Sequence, residues 1–401
     1  MRLNAYMAAS GILFVSHDAT RTGAPIALLH FLRWFKRNGN RPFSVLLGGG
    51  GELVPNFEEL ANTWSIDRSH WRPGALPTRI LKRARFGALG RCAQTAETRR
   101  FAAKCSPGLV YTNSIASARV LEILAPQVPI LTHVHEMGFL FHTLRGRALA
   151  HLLSQTSQFI ACSKATRDNL VHENAIEGTR VETIYESIPV DQVRRERSRQ
   201  QVLQELRIPG DALLIVGSGT ADWRKGTDLF ILLAREVCQR HRRAYFAWIG
   251  GGSTLEFEHD VRVCGLTEKM RFTGAVVKPA DYFAAADVFV LTSREDPYPL
   301  VCLEAAALEK PIVCFEGAGG APEFVEEDCG FIVPYLDIMV MADKVMSLLD
   351  SPDLRIAFGS AARRKVAQRH DINEVAPRIT EIIERTIACG RNGDRYDKLG
   401  S

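Results

Sequence analysis

Between residues 288 and 308 the chain passes from an apolar run, through a polar loop, into a helical segment: Val-Phe-Val-Leu-Thr-Ser-Arg-Glu-Asp-Pro-Tyr-Pro-Leu-Val-Cys-Leu-Glu-Ala-Ala-Ala-Leu. Val288–Leu291 is β-rich and bounded by turn residues, so it reads as a buried strand. Pro299–Leu308 reads as a helix, since proline is tolerated in a first turn. Pro297 stops the strand from continuing. In open α/β sheets a strand–loop–helix unit of this kind binds ligands at the strand's carboxyl end. The free N–H groups that open the helix, near Leu300 and Val301, can meet an anion.

Two acids bracket the turn. Asp296 lies in the loop, with Glu295 before it, and Glu304 lies in the helix. Together they could bind hydroxyls at two ends of one ligand, with phosphate between them at the helix start. A sugar nucleotide has that layout. Spacing alone equally allows a solvated Glu295–Asp296 turn and an ordinary surface Glu304.

An acid, seven residues, then Glu-Ala-Ala on a helix resembles the donor-site signature of the retaining glycosyltransferases of family 4. Gly317-Ala318-Gly319-Gly320-Ala321-Pro322-Glu323 resembles that family's Gly-Gly-x-x-Glu turn. The resemblance implies the GT-B fold: α/β, with two Rossmann-like parallel-sheet domains facing across a cleft. In the family the first acid is usually Glu. Asp296 is one methylene shorter, and either it or Glu295 meets the sugar.

Other stretches fit a repeated strand–helix plan. Gly11–Ser16 and Phe43–Leu47 read as strands, with a helix from Pro25 to Asn38 between them. Its apolar face is Ile26, Leu29, Leu32 and Phe35. Further strands are expected at Leu109–Tyr111, Pro129–His133, Gln158–Ala161, Arg180–Tyr185, Ala212–Val216, Ala244–Ile249, Met270–Thr273, Ile312–Phe315 and Phe331–Val333. Helices are expected at Arg79–Lys104, from Ala165, at Arg194–Leu206, and in three terminal segments. With 401 residues, two domains are expected. They are an acceptor-side domain over 1–188 and a donor domain over 189–371. In the implied fold, residues 372–401 return to the first domain as a helix and tail.

Two more motifs carry chemistry. His135-Glu136 lies past a strand's carboxyl end and resembles the family's His-Asp or His-Glu motif. The resemblance implies that His135 hydrogen-bonds the donor sugar, while His133 is structural. Gly217-Ser218-Gly219-Thr220-Ala221-Asp222-Trp223-Arg224-Lys225-Gly226 is a glycine-rich loop with a basic pair before a helix, which suits a diphosphate. As a dinucleotide fingerprint it fails, because Asp222 stands at the third glycine. Lys225 matches the family's Lys, but Gly219 and Thr220 stand where its Arg would be, and Arg224 is the substitute cation. Gly23 resembles the glycine loop that approaches the donor diphosphate. Gly250 and Gly274 end strands that resemble the nucleotide-base pocket.

The resemblance therefore implies a retaining transferase that moves a sugar from a nucleoside diphosphate to an acceptor hydroxyl. The pathway expected is surface polysaccharide or lipid-linked glycan synthesis. The catalytic set is His135, Lys225, Asp296 and Glu304. The donor set is Gly23, Arg224, Lys225, Gly250, Gly274, Glu295, Asp296, Leu300, Val301 and Glu304. No cofactor is expected beyond the nucleotide-sugar substrate. No bound metal is expected either, because the sequence contains no Asp-x-Asp. An inverting enzyme with His135 as base and a non-catalytic nucleotide-sugar-binding subunit are the rivals.

Charge adds one expectation about partners. Residues 1–200 carry 26 Lys and Arg against 15 Asp and Glu, while 201–401 carry 24 against 30. Ten of the basic residues fall within Arg68–Lys104, with Glu97 the one acid. This is either a solvated face or a surface for anionic lipid or a lipid-diphosphate acceptor. Its few aromatics argue against a nucleic-acid partner. No apolar run reaches the roughly 20 residues that span a bilayer, and Ile12–Val15 lacks a signal-peptide layout. The nine cysteines are scattered without a Cys-x-x-Cys pair. The expected place is the cytoplasm, peripherally at the inner membrane face.

Overall fold

The computed structural model of the chain describes residues 11–66 and 86–391. It divides into two compact units. The first comprises Met1–Cys162, Thr166–Ile184 and Ala376–Ser401; the second comprises Ser163–Ala165 and Tyr185–Val375.

The first unit holds β1 (Gly11–Ser16), β2 (Phe43–Leu47), β3 (Asn62–Ser65), β4 (Pro107–Asn113), β5 (Ile130–Val134), β6 (Gln158–Ala161) and β7 (Val181–Thr183). They form one sheet in the order β3-β2-β1-β4-β5-β6-β7, parallel throughout. Helices cover a parallel sheet on both faces, so its central strands are continuously apolar. Phe14 on β1 is fully buried and meets Phe31, Phe35, Phe43 and Tyr111 at ring-centroid distances of 5.0–6.1 Å. Burying one such ring contributes about 2–3 kcal/mol. Phe31 and Phe35 come from the helix Gly23–Asn38, which starts two residues before the expected Pro25.

The second unit repeats the plan with β8 (Leu213–Ser218), β9 (Ala244–Ile249), β10 (Met270–Phe272), β11 (Val288–Leu291), β12 (Ile312–Phe315) and β13 (Gly330–Val333). Their order is β10-β9-β8-β11-β12-β13, again parallel. Phe230 of the helix Thr227–Arg240 packs edge-on against Phe246 and Trp248 at the centre of this core.

Two differences from the sequence reading trace to tertiary contacts. The expected helix Arg194–Leu206 is shorter, Arg199–Glu205, because Asp281 takes the N–H groups of Glu196 and Arg197 at 2.7 and 3.0 Å. Ser198 then starts the helix through a capping box with Gln201. The edge strand β3 was not anticipated. Asn-Thr-Trp-Ser carries little apolar signal and is a strand because β2 pairs with it. The expected helix from Ala165 is Lys164–Asp168, continued by a wide π turn over Asn169–Glu173. Of the expected helix Arg79–Lys104, the structure describes Phe86–Cys105. Most of the basic stretch, Arg68 to Arg85, lies outside the described residues.

The terminal helix Ile372–Arg391 belongs to the first unit from Ala376 onward. Arg41 grips Glu384 there through two guanidinium nitrogens.

Candidate active site

Both sheets reverse strand order once, between β1 and β4 and between β8 and β11. Loops leaving neighbouring strands on opposite sides open a crevice at such a point.

In the second unit the crevice lies between the loops after β8 and β11. Lys225, from the β8 loop, donates from Nζ to Asp296 Oδ2, 2.5 Å away. Ser293 Oγ donates to the same oxygen at 3.2 Å. Both charges are largely buried, with side-chain exposures of 14% and 6%. Asp296 is therefore the acid that joins the basic loop, and Glu295 contributes its backbone. Arg224 Nη1 donates to the Glu295 carbonyl at 2.9 Å. Burial pushes the Cys302 thiol far above its usual pKa, so it adds no negative charge beside this pair.

A residue that sequence reasoning missed laces the two loops. Arg294 donates from its backbone to the Arg224 carbonyl at 2.8 Å. Its guanidinium reaches the Trp223 carbonyl at 2.7 Å and both carboxylate oxygens of Asp228 at 2.8 and 2.7 Å. The Trp223 ring lies under it, 4.9 Å from the guanidinium carbon. Burial opposes ionisation of Asp228, yet the Arg294 hydrogen bonds hold its pKa below the usual range. A Ser-Arg pair at the end of a strand was the available signal.

Two glycines permit this approach. Gly226 is left-handed, with φ +68°, and a Cβ there would lie 1.9 Å from the Thr292 carbonyl oxygen. Gly319, at φ +126°, would place a Cβ 1.9 Å from the Asp296 carbonyl oxygen. Ala318 accepts from Asp296 N at 2.7 Å, and Gly320 N donates back to the Asp296 carbonyl at 3.1 Å. The glycine turn thus grips Asp296 by its backbone. Glu323, the acid of that turn, accepts from the N–H groups of Lys164 and Ala165, both at 2.9 Å.

Leu300 and Val301 open the helix Leu300–Ala307, whose first turn has no side-chain cap and no acid. Glu304 is half-buried one turn further on. Gly250 and Gly274 pair with each other, Gly250 N donating to the Gly274 carbonyl at 3.2 Å. The loop after β9 is in turn zipped to the β8 loop, with Ala221 N 2.7 Å from the Gly251 carbonyl.

In the first unit, Asn113 ends β4 and was also missed, because the expected strand stopped at Tyr111. Its Nδ2 donates to the Ala24 carbonyl at 2.8 Å, and its Oδ1 lies 3.0 Å from His135 Nε2. That oxygen can only accept, so His135 Nε2 carries the proton in this arrangement. Glu136 is buried and structural: it accepts from Ser114 Oγ, Ile115 N and His135 N. His133 is buried against the Tyr111 hydroxyl, and desolvation holds its pKa well below 6.5. Gly23 stands exposed at the head of its helix, with open space where a Cβ would lie.

Comparison with known proteins places this architecture. The family model described as Glycosyl transferases group 1 matches residues 198–365. The model described as Glycosyltransferase Family 4 matches residues 22–192. The chain is 26% identical over 290 residues to a GDP-mannose-dependent alpha-(1-6)-phosphatidylinositol monomannoside mannosyltransferase of Mycobacterium tuberculosis, covering 67% of this chain and 74% of that protein. It is 26% identical over 185 residues to the lipopolysaccharide core biosynthesis glycosyltransferase LpsD of Rhizobium meliloti, covering 46% and 53%. Among solved structures, Anabaena Alr3699/HepE in complex with UDP and glucose superposes with a TM-score of 0.77 at 19% identity, covering 94% of this chain and 99% of that one. WaaG, a glycosyltransferase involved in lipopolysaccharide biosynthesis, gives 0.71 at 15% identity, covering 93% and 99%. The fold is GT-B.

Proposed function

The chain belongs to glycosyltransferase family 4, of the glycosyl transferases group 1, and on that premise we propose that it is a retaining, metal-independent enzyme using a nucleoside-diphosphate sugar. The observation that carries this reading is the Lys225–Asp296 pair at the strand-order reversal, followed in sequence by a helix start without a side-chain cap.

The bond between the sugar C1 and the diphosphate oxygen breaks, and the diphosphate leaves with the electron pair. Lys225 and the N–H groups of Leu300 and Val301 stabilise that growing charge. Asp296 accepts from sugar hydroxyls, and Glu304 accepts from the ribose. His135 hydrogen-bonds the sugar. The acceptor oxygen bonds to C1 on the face the diphosphate leaves, and its proton passes to the departing phosphate. No protein base is assigned. Arg224 acts by holding the Glu295 backbone and adds positive charge to the loop.

The names of the relatives bound the substrates: GDP-mannose for one, UDP and glucose in the complex of another. Phosphatidylinositol monomannoside and lipopolysaccharide core support a glycan or lipid-linked acceptor. These acceptors favour action at the cytoplasmic membrane face. Among the described residues no helix is long and apolar enough to cross a membrane. The cationic gap at Gly219 and Thr220 favours one second reading, a subunit that binds donor without turnover.

The test is a screen of UDP-, GDP- and dTDP-sugars for nucleotide release, with Lys225→Ala and Glu304→Ala alongside. Release from one donor, lost in both variants and unaffected by chelator, is expected. Tight donor binding without release or transfer would select the binding subunit. NMR of the product anomer decides retention.

A further inference from the structure

We propose that the face formed by Gly138–His151 docks on an anionic lipid bilayer and brings a membrane-borne acceptor to the carboxyl end of β5. The acceptor part of this inference rests on the transferase reading.

Among the described residues of the first unit, the large apolar side chains left exposed are Phe139, at 45%, and Leu144, at 37%. Phe139 lies in the first turn of the short helix Gly138–Thr143, and Leu144 follows its last residue. Two arginines, Arg145 and Arg147, and two histidines, His142 and His151, follow Phe139 in the chain, and all four are exposed. Between Glu136 and Cys162 the chain has no acidic residue. Exposed apolar side chains followed closely by two exposed arginines suit the boundary between anionic headgroups and acyl chains.

A cleft of about 380 Å³ opens in the same face. Its apolar wall includes Phe141, Leu149 and Leu153, and its polar rim includes His142, Arg145 and Asn174. Such a site fits a lipid phosphate with its first methylenes. Glu173, exposed to solvent, also lines the cleft, its carboxylate accepting from Asn169 Nδ2 at 3.0 Å. Position along the chain links this face to the chemistry. Phe139 follows His135 by four residues, which puts their Cα atoms at most about 14 Å apart.

The test uses the full chain and sedimentation with two vesicle types: phosphatidylcholine alone, and phosphatidylcholine with phosphatidylglycerol. Binding to the anionic vesicles, weakening with salt, is expected. Phe139→Ser with Leu144→Ser, and separately Arg145→Gln with Arg147→Gln, should each weaken it. Each lost arginine corresponds to roughly five-fold. Circular dichroism verifies folding. Nucleotide release from soluble donor without vesicles should be unchanged in both variants, and this arm reports the transferase reading independently. Equal binding to neutral vesicles overturns the proposal. So does full binding by both double variants, which would point to the Arg68–Arg85 stretch or another surface.

Discussion

The ammonium of Lys225 and the carboxylate of Asp296 lie 2.5 Å apart, from loops 71 residues apart in sequence, at the place where the second sheet reverses its strand order. Neither charge is well solvated, so each depends on the other in the free protein. In the proposed mechanism a donor diphosphate competes with Asp296 for Lys225, and sugar hydroxyls donating to Asp296 compensate the carboxylate for what it loses.

That interdependence predicts non-additivity. Lys225→Ala should lower turnover by roughly 10²–10³-fold. Breaking the pair from either side should cost on the order of 3 kcal/mol of stability. The double variant Lys225→Ala with Asp296→Ala should cost clearly less than the sum of the singles in urea unfolding. Simple addition would show that the pair is not coupled.

Gly226→Ala should fail for a backbone reason. Its φ of +68° and the 1.9 Å approach to the Thr292 carbonyl leave no room for a methyl group. A loss of more than about 1 kcal/mol is expected, together with weaker donor binding because Lys225 is displaced. Calorimetry of donor binding with thermal unfolding reads both effects.

Arg294→Lys retains the charge but loses the fork that spans Asp228 and the Trp223 carbonyl. Lost charge-assisted hydrogen bonds are worth about 1.5–3 kcal/mol. In kcat/KM this is roughly 10–100-fold, carried mainly by kcat if Arg294 positions Lys225 for the leaving group. An effect confined to thermal stability would reduce Arg294 to a structural brace.

His370 makes stability depend on pH. Its Nδ1 donates to the Glu186 carbonyl at 2.9 Å, which leaves Nε2 to accept from the Tyr298 hydroxyl at 3.2 Å. Tyr185, Tyr298 and Phe324 surround the ring. Burial pushes its pKa down to about 4, so the unfolded chain takes the proton first. The contribution is complete above pH ~6.5 and is lost as pH falls toward 4, about 3 kcal/mol in full. Unfolding midpoints should drop over that window in the parent chain and drop less in His370→Gln. Equal slopes would assign the effect to other groups.

Strand and helix positions were largely legible in the sequence because hydrophobic periodicity is a local signal. β1, β2, β6, β9, β11 and β12 have the expected bounds. The misses came where tertiary partners overrode local preference, as when Asp281 claimed the N–H groups ahead of Arg199 or β2 paired with a polar edge strand.

By itself, the sequence determined that this chain alternates strand and helix, and it singled out Lys225, Asp296 and Glu304, close after strand ends, as the candidate charged groups. Each inference needs only neighbours along the chain. Tertiary structure decided that Asp296 rather than Glu295 meets Lys225, that Arg224 and Arg294 bind backbone carbonyls across the two loops, and that Asn113 holds His135. Those contacts join residues that strand order brings together. Hydrogen-bond direction and burial are set by the packed neighbours, which the order of residues along the chain does not specify.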